Sequence, residues 1–88
     1  MNYEVIFSSR FKKLFNKLHN KERKQFYEKL QLFIENHKHP SLRTKKIKGS
    51  DILFESSVSM SIRVIWSYKK DKLIVMLDIG RHDILKRK

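Results

Sequence analysis

Three short segments contain the side chains whose types and spacing could do chemistry. Arg63 lies inside an alternating apolar run, Glu55 lies in the run before it, and the tetrapeptide Gly80-Arg81-His82-Asp83 follows the last apolar run. Because an arginine keeps its charge, it needs an anionic partner within a half-buried strand. That partner is either a carboxylate of a neighbouring strand, Glu55 or Asp78, or a phosphate group that the guanidinium holds with two parallel hydrogen bonds.

Among the four histidines, His82 has the position best suited to acid–base chemistry. It follows Gly80 at the predicted end of a strand, where functional side chains often lie, and an imidazole titrates near pH ~6.5. The alternative is a surface histidine without a role. We expect the other three to be solvent-exposed: His19, His37 and His39. Without cysteine or an HExxH spacing, the sequence predicts no metal site and no cofactor.

The chain carries a large excess of positive charge, because 21 Lys and Arg outnumber 9 Asp and Glu for a net charge of +12. Its densest basic run comprises Arg43, Lys45, Lys46 and Lys48. Such a field attracts polyanions, which favours contact with nucleic acid. The run could equally be a solvated surface, or an edge strand that lysines protect against pairing with other chains.

Length and composition exclude several classes of protein. The 88 residues fit one small domain, which we place at residues 1–88. Two glycines are too few for a P-loop or a dinucleotide-binding fingerprint, and zero cysteines exclude disulfides. No apolar run of about 18 residues could span a membrane, and residues 1–10 lack the apolar core of a signal peptide. We therefore expect a cytoplasmic protein without membrane contact.

Hydrophobic periodicity predicts an α+β fold with the order β-α-α-β-β-β. Helical spacing predicts one helix over residues 11–18 after a serine cap and a second, with Asn20 as its cap, that ends near residue 36. The two helices are joined as an antiparallel hairpin. Alternation of period two predicts strands over residues 2–7, 52–58 and 61–68. A turn at residues 69–71 leads to a central buried strand over residues 73–79, which Gly80 ends. The helical hairpin packs on one face of a mainly antiparallel twisted sheet.

In this order, three motifs resemble segments of the RelE/ParE superfamily, the bacterial and archaeal toxins of toxin–antitoxin pairs. The motifs are Lys46-Ile47-Lys48-Gly49, Ser61-Ile62-Arg63-Val64-Ile65-Trp66 and Leu77-Asp78-Ile79-Gly80-Arg81-His82-Asp83. They are similar to the family's LKG, YRVIY and GxHxxxY/F segments, and the order of elements resembles the family's over essentially the whole chain. The third motif resembles the branch of YafQ-type ribonucleases, whose C-terminal histidine is catalytic.

The resemblance implies a metal-independent endoribonuclease that cleaves mRNA, commonly in the ribosomal A site, and so inhibits translation. Carried over by position, His82 would be the general acid, Arg63 would stabilise the phosphorane, and Glu55 would be the base. The implied RNA-binding residues are Lys45, Lys46, Lys48, Arg81 and Lys86. The implied partners are a cognate antitoxin, mRNA, the ribosome and, only through the antitoxin complex, operator DNA.

Two positions differ from the family's pattern. Asp78 stands where related ribonucleases often have an arginine, and Lys86 stands where they have an aromatic residue that helps to hold a base. Arg81 is the candidate replacement for the missing guanidinium, and a weakened activity is one alternative. Two further alternatives are a ParE-like inhibitor of DNA gyrase with the same fold and a non-catalytic nucleic-acid-binding protein.

Overall fold

The computed structural model describes residues 3–81 and has two helices on a five-stranded sheet. Its elements are β1 (Glu4–Phe7), α1 (Ser9–Asn16), α2 (Asn20–Glu35), a 3₁₀ turn (Pro40–Leu42), β2 (Lys45–Lys46), β3 (Phe54–Ser57), β4 (Ile62–Lys70) and β5 (Leu73–Arg81). The predicted α+β class and order are confirmed, with the two-residue strand β2 as an addition. Among the described residues, no helix is long and apolar enough to cross a membrane.

The sheet has the strand order β1-β5-β4-β3-β2, so the N-terminal and C-terminal strands of the described chain are neighbours. β1 pairs with β5 in parallel, and the other three pairs are antiparallel. The β4–β5 ladder is the longest and has a register shift between Ile65 and Trp66. A shift of this kind bends a strand and redirects side chains on its two sides.

The helices begin at side-chain caps. The Ser8 hydroxyl accepts a hydrogen bond from the Phe11 amide at 3.0 Å and donates to the Leu77 carbonyl oxygen at 3.0 Å, so the same side chain starts α1 and ties it to β5. At α2 the prediction that Asn20 is the cap is wrong, because His19 occupies that position. The His19 amide donates to the Glu22 carboxylate at 3.0 Å, as in a capping box.

The core lies between the helices and one face of the sheet. On β4, Ile62, Val64 and Trp66 are almost fully buried, and the Trp66 ring packs edge-to-face against Phe33 of α2 with centroids 5.2 Å apart. Phe11 of α1 joins the same cluster. Residues between these positions on the strands belong to the other face, which the helices leave open.

The ends of β4 and β5 differ from the prediction. β4 extends to Lys70, and the turn lies at Asp71 and Lys72, where Lys72 takes the left-handed backbone conformation (φ 60°) that a tight hairpin turn needs. β5 continues through Gly80 to Arg81, because a glycine retains both backbone hydrogen-bonding groups and Gly80 pairs with Arg63. β5 also alternates between buried and half-buried positions over most of its length, since only one face is covered by helices.

The prediction that His37 and His39 are solvent-exposed is wrong for both. His39 is half-buried, and its Nδ1 atom accepts a hydrogen bond from the Ser41 amide at 3.1 Å. His37 is only 5% exposed, and its Nε2 atom lies 2.7 Å from the Tyr68 hydroxyl oxygen. Its ring contacts the ring of Tyr3 edge-on with centroids 4.4 Å apart. His37 therefore joins the end of α2 to the sheet.

Burial lowers the pKa of His37 below its ordinary value, with a smaller contribution from the positive charge of Lys38. The unfolded chain consequently binds a proton at a higher pH than the folded chain does. We expect the free energy of unfolding to be maximal above about pH 6.5 and to fall as the pH decreases toward about 5, by at most about 1.4 kcal/mol per pH unit. Urea unfolding at a series of pH values measures this dependence.

The control is His37→Gln, which keeps a hydrogen-bonding group near Tyr68 but cannot titrate. This variant should lose most of the decline above about pH 5, the range in which carboxylates contribute little. An equal decline in both proteins would show that His37 is not its source.

Candidate nucleic-acid interface

Arg63 and Glu55 form an ion pair on the open face of the sheet. Nε of Arg63 lies 3.5 Å from Oε2 of Glu55, and each side chain is 14% exposed. Nη1 of Arg63 donates to the carbonyl oxygens of Ser59, Met60 and Ile62 at 2.6, 3.0 and 3.2 Å. Of the two carboxylates considered as partners of Arg63 from the sequence, the structure therefore selects Glu55.

The strand register explains this pairing. Arg63 lies opposite Ser57 on β3, and Glu55 lies opposite Ile65 on β4. Opposite residues of antiparallel strands share a face, and diagonal neighbours are within reach of long side chains. Arg63 and Glu55 are such diagonal neighbours. The turn after β3 supplies two of the carbonyl groups that fix the guanidinium, and Ile62 at the start of β4 supplies the third.

The arrangement leaves part of each group available for a ligand. Nη2 of Arg63 and Oε1 of Glu55 have no hydrogen-bond partner within residues 3–81. A guanidinium held in this way can donate to an anion without first losing side-chain freedom. A carboxylate beside it can accept a proton from a hydroxyl group within hydrogen-bond reach.

Asp78, the other carboxylate considered for Arg63, is bound by α1. Nε of Arg10 lies 3.3 Å from Oδ2 of Asp78, and the Asp78 side chain is 7% exposed whereas that of Arg10 is 60% exposed. The position that differs from the family's pattern thus links the first helix to the last strand.

Arg81 is not brought beside Arg63. It pairs with Ile62, one position before Arg63 on β4, and neighbouring positions of a strand point to opposite faces. Nη2 of Arg81 lies 3.3 Å from Oε2 of Glu22 at the start of α2. The guanidinium of Arg81 therefore belongs to the helix side of the sheet.

The lysines of the basic run lie at the far edge of the sheet. β2 is the edge strand, as one interpretation of the run predicts, and both of its lysines are exposed. Lys45 lies opposite Glu55 and shares its face, while Lys46 lies opposite Phe54 and points the other way. Lys48 is exposed in the following turn. Only Lys45 of the three extends the surface around Arg63.

Two of the candidate residues, His82 and Lys86, lie outside the described residues. The described chain ends at Arg81, one residue after Gly80, which pairs with Arg63 across the β4–β5 ladder.

A second feature of the structure was not predicted from the sequence. Between β1 and the two helices lies a groove of about 300 Å³. We call it the aromatic groove; its apolar lining comprises Phe7, Phe11, Phe15, Phe26 and Tyr27. Lys12 and Asn16 complete the lining, and Tyr27 is 60% exposed. The density of phenylalanine on α1 was the available signal.

Comparison with solved structures identifies the fold. No protein-family model matches the sequence, and no curated protein is significantly similar to it. Among solved structures, the E. coli DinJ–YafQ toxin–antitoxin complex matches with a TM-score of 0.77 and 17% identity, over 97% of this chain and 98% of the other.

Two archaeal structures are similar to the same extent. The RelE–RelB complex of Pyrococcus horikoshii matches with a TM-score of 0.74 and 22% identity, over 92% of this chain and 96% of the other. The RelB–RelE antitoxin–toxin complex of Methanococcus jannaschii matches with a TM-score of 0.76 and 17% identity, over 94% and 96%. The chain therefore has the RelE-like α+β fold, and its structural neighbours include both RelE and YafQ complexes.

Proposed function

We propose that this chain is the toxin of a toxin–antitoxin pair and a metal-independent endoribonuclease that cleaves mRNA, in association with the ribosome, in the cytoplasm. The observation that carries the proposal is the Arg63–Glu55 pair, because it places a fixed cation and a carboxylate side by side on the open face of a RelE-like sheet. The names of the structural neighbours, which are toxin–antitoxin complexes, support the same class.

The reaction uses the 2′-hydroxyl of the RNA as nucleophile. Glu55 accepts the proton of this hydroxyl while its oxygen forms a bond to the adjacent phosphorus. The bond from phosphorus to the 5′-oxygen breaks, and His82 donates a proton to that leaving oxygen. The products are a 2′,3′-cyclic phosphate and a 5′-hydroxyl end.

Arg63 stabilises the additional negative charge of the phosphorane. Its Nε and Nη1 atoms are held by Glu55 and the turn, so Nη2 is the atom that donates to a phosphoryl oxygen. Donors that are fixed before the reaction contribute most in a site from which water is excluded. Lys45, which shares the face of Glu55, adds positive charge along the path of the strand.

A non-catalytic nucleic-acid-binding protein is the second candidate. The observation that favours it is the loss of cations from the site, because Asp78 replaces one arginine and Arg81 is paired with Glu22 on the helix side. Such a protein would keep the attraction of its +12 charge for RNA but would leave the RNA intact.

Induction of the wild-type chain in growing cells should arrest growth and create new mRNA ends with 5′-hydroxyl groups. His82→Ala should reduce cleavage roughly 10²- to 10⁴-fold, the usual contribution of one acid–base group. Genome-wide mapping of 5′ ends measures both effects. Arrest without new ends would favour action on another target, such as gyrase.

The matched control is His19→Asn, which removes an exposed imidazole and keeps a residue suited to the N-cap of α2. It should cleave as the wild type does. Equal cleavage by the His82→Ala variant would overturn the assignment of the general acid, and RNA binding without cleavage by the wild type would favour the second candidate.

An antitoxin is the partner that fits the aromatic groove. The complex of toxin and antitoxin would contact operator DNA only through the antitoxin. The aromatic lining of the groove could receive the apolar side chains of a partner segment. The net charge of +12 and Lys12 in the groove lining favour an acidic segment with apolar side chains as the occupant. Acidic residues of that segment would meet the lysines of the surrounding surface.

Loss of groove contacts should allow the toxin to escape its antitoxin. Genomic fragments of the source organism are selected for rescue of growth, which identifies the antitoxin. Tyr27→Ala with Lys12→Glu should remain toxic but bind the antitoxin roughly 10- to 100-fold more weakly, as expected for an aromatic anchor. Ile52→Ala, which changes an apolar residue 67% exposed outside the groove, should be rescued fully. Equal rescue of both variants would place the antitoxin elsewhere.

A further inference from the structure

A separate basic pocket of about 160 Å³ lies where α2, the 3₁₀ turn and the connection from β3 to β4 meet. Its lining includes two cations, Lys29 and Arg43. Three serines also line it: Ser41, Ser57 and Ser59. No aspartate or glutamate of the described chain contributes to this lining. Cations combined with hydroxyl donors, without acidic residues, suit an oxyanion.

Three donors of the pocket are uncommitted, whereas the Ser41 hydroxyl lies 2.9 Å from Nδ1 of His39 and the Ser59 hydroxyl accepts from the Ile62 amide at 3.2 Å. Within residues 3–81, the Lys29 ammonium and the Arg43 guanidinium form no ion pair and no hydrogen bond. The Ser57 hydroxyl also lacks a hydrogen-bond partner in this part of the chain. Arg10, Arg63 and Arg81, by contrast, each form an ion pair within the described chain.

The backbone at Arg43 adds an independent observation. Arg43 has a φ of 50°, in the left-handed region that residues with a long side chain seldom adopt, and its amide donates to the Pro40 carbonyl oxygen at 3.1 Å. Glycine or asparagine would suit this conformation better. This conformation ends the 3₁₀ turn, and it fixes the place at which the Arg43 side chain leaves the backbone beside the pocket.

The basic pocket adjoins the Arg63–Glu55 pair. Ser57 lies directly opposite Arg63 in the β3–β4 ladder. Nη1 of Arg63 donates to the carbonyl oxygens of Ser59 and Met60, which both line the pocket. An extended ligand that contacts Arg63 can therefore continue over the turn into the pocket.

We propose that the basic pocket binds a phosphate group through Lys29, Arg43 and the Ser57 hydroxyl. The phosphate is supplied either by an RNA strand that passes Arg63 or by a free phosphate anion. The RNA source rests on the proposed function, whereas the anion source does not.

The first arm of the test measures binding of single-stranded RNA that carries 2′-O-methyl groups throughout, so that no 2′-hydroxyl attack can occur. The variant is Lys29→Gln with Arg43→Asn, since asparagine tolerates the left-handed conformation. If RNA supplies the phosphate, affinity falls several-fold and the slope of log K against log salt decreases by about 0.7, the value for one single-stranded phosphate contact. The control is Lys21→Gln with Lys24→Gln, which removes the same charge from exposed positions of α2 and should leave the slope unchanged.

The second arm titrates the wild-type chain with inorganic phosphate and follows the backbone amide signals by NMR. Saturable shifts of the Ser57, Ser59 and Met60 amide signals that are absent from the double variant support phosphate binding in the pocket. If the salt dependence of RNA binding is unchanged as well, the free anion is the source of the phosphate. An unchanged slope together with no saturable shift overturns the proposal. Neither arm measures cleavage, so a failure of the ribonuclease proposal would be seen separately.

Discussion

β5 lies between a parallel partner, β1, and an antiparallel partner, β4, and the placement of the candidate site depends on these two ladders. The first of them joins the two ends of the described chain, and closing so long a loop costs conformational entropy. Side-chain contacts add to the backbone ladder, because the Ser8 hydroxyl binds the Leu77 carbonyl oxygen. Without β1 and α1 in place, β5 would become an edge strand that pairs with β4 alone.

Ion pairs are arranged around the same strand. Arg10 of α1 and Glu22 of α2 each bind a residue of β5, so both helices are tied to the end of the strand from which the chain continues to His82. In a chain with a net charge of +12, few carboxylates are available and each paired one relieves repulsion between cations. The pairing also distributes the arginines, because it holds Arg81 on the helix side and leaves Arg63 as the guanidinium on the open face.

Local patterns were sufficient to predict the α+β class, both helices and the antiparallel ladders, because helical and two-residue periodicities report which face of an element is buried. The burial of His37 could not be predicted in this way. It depends on the rings of Tyr3, which precedes β1, of Phe33 in α2 and of Tyr68 in β4, which only the folded chain brings together. Arg81 points to the helix side because β5 continues past Gly80. The sequence did not predict this continuation, because a glycine usually weakens or ends a strand. The sequence left two carboxylates, Glu55 and Asp78, as candidate partners of Arg63, and the strand register selects Glu55.

The most direct test of the proposed chemistry uses the purified chain, ribosomes and a bound mRNA in which a single 2′-hydroxyl, at the cleaved position, is replaced by hydrogen. We expect cleavage of the unmodified mRNA, with a 2′,3′-cyclic phosphate and a 5′-hydroxyl as the new ends. The deoxy substitution should abolish cleavage at that position alone. Cleavage that persists there without the 2′-hydroxyl would contradict a mechanism in which Glu55, Arg63 and His82 promote attack by the RNA's own hydroxyl group.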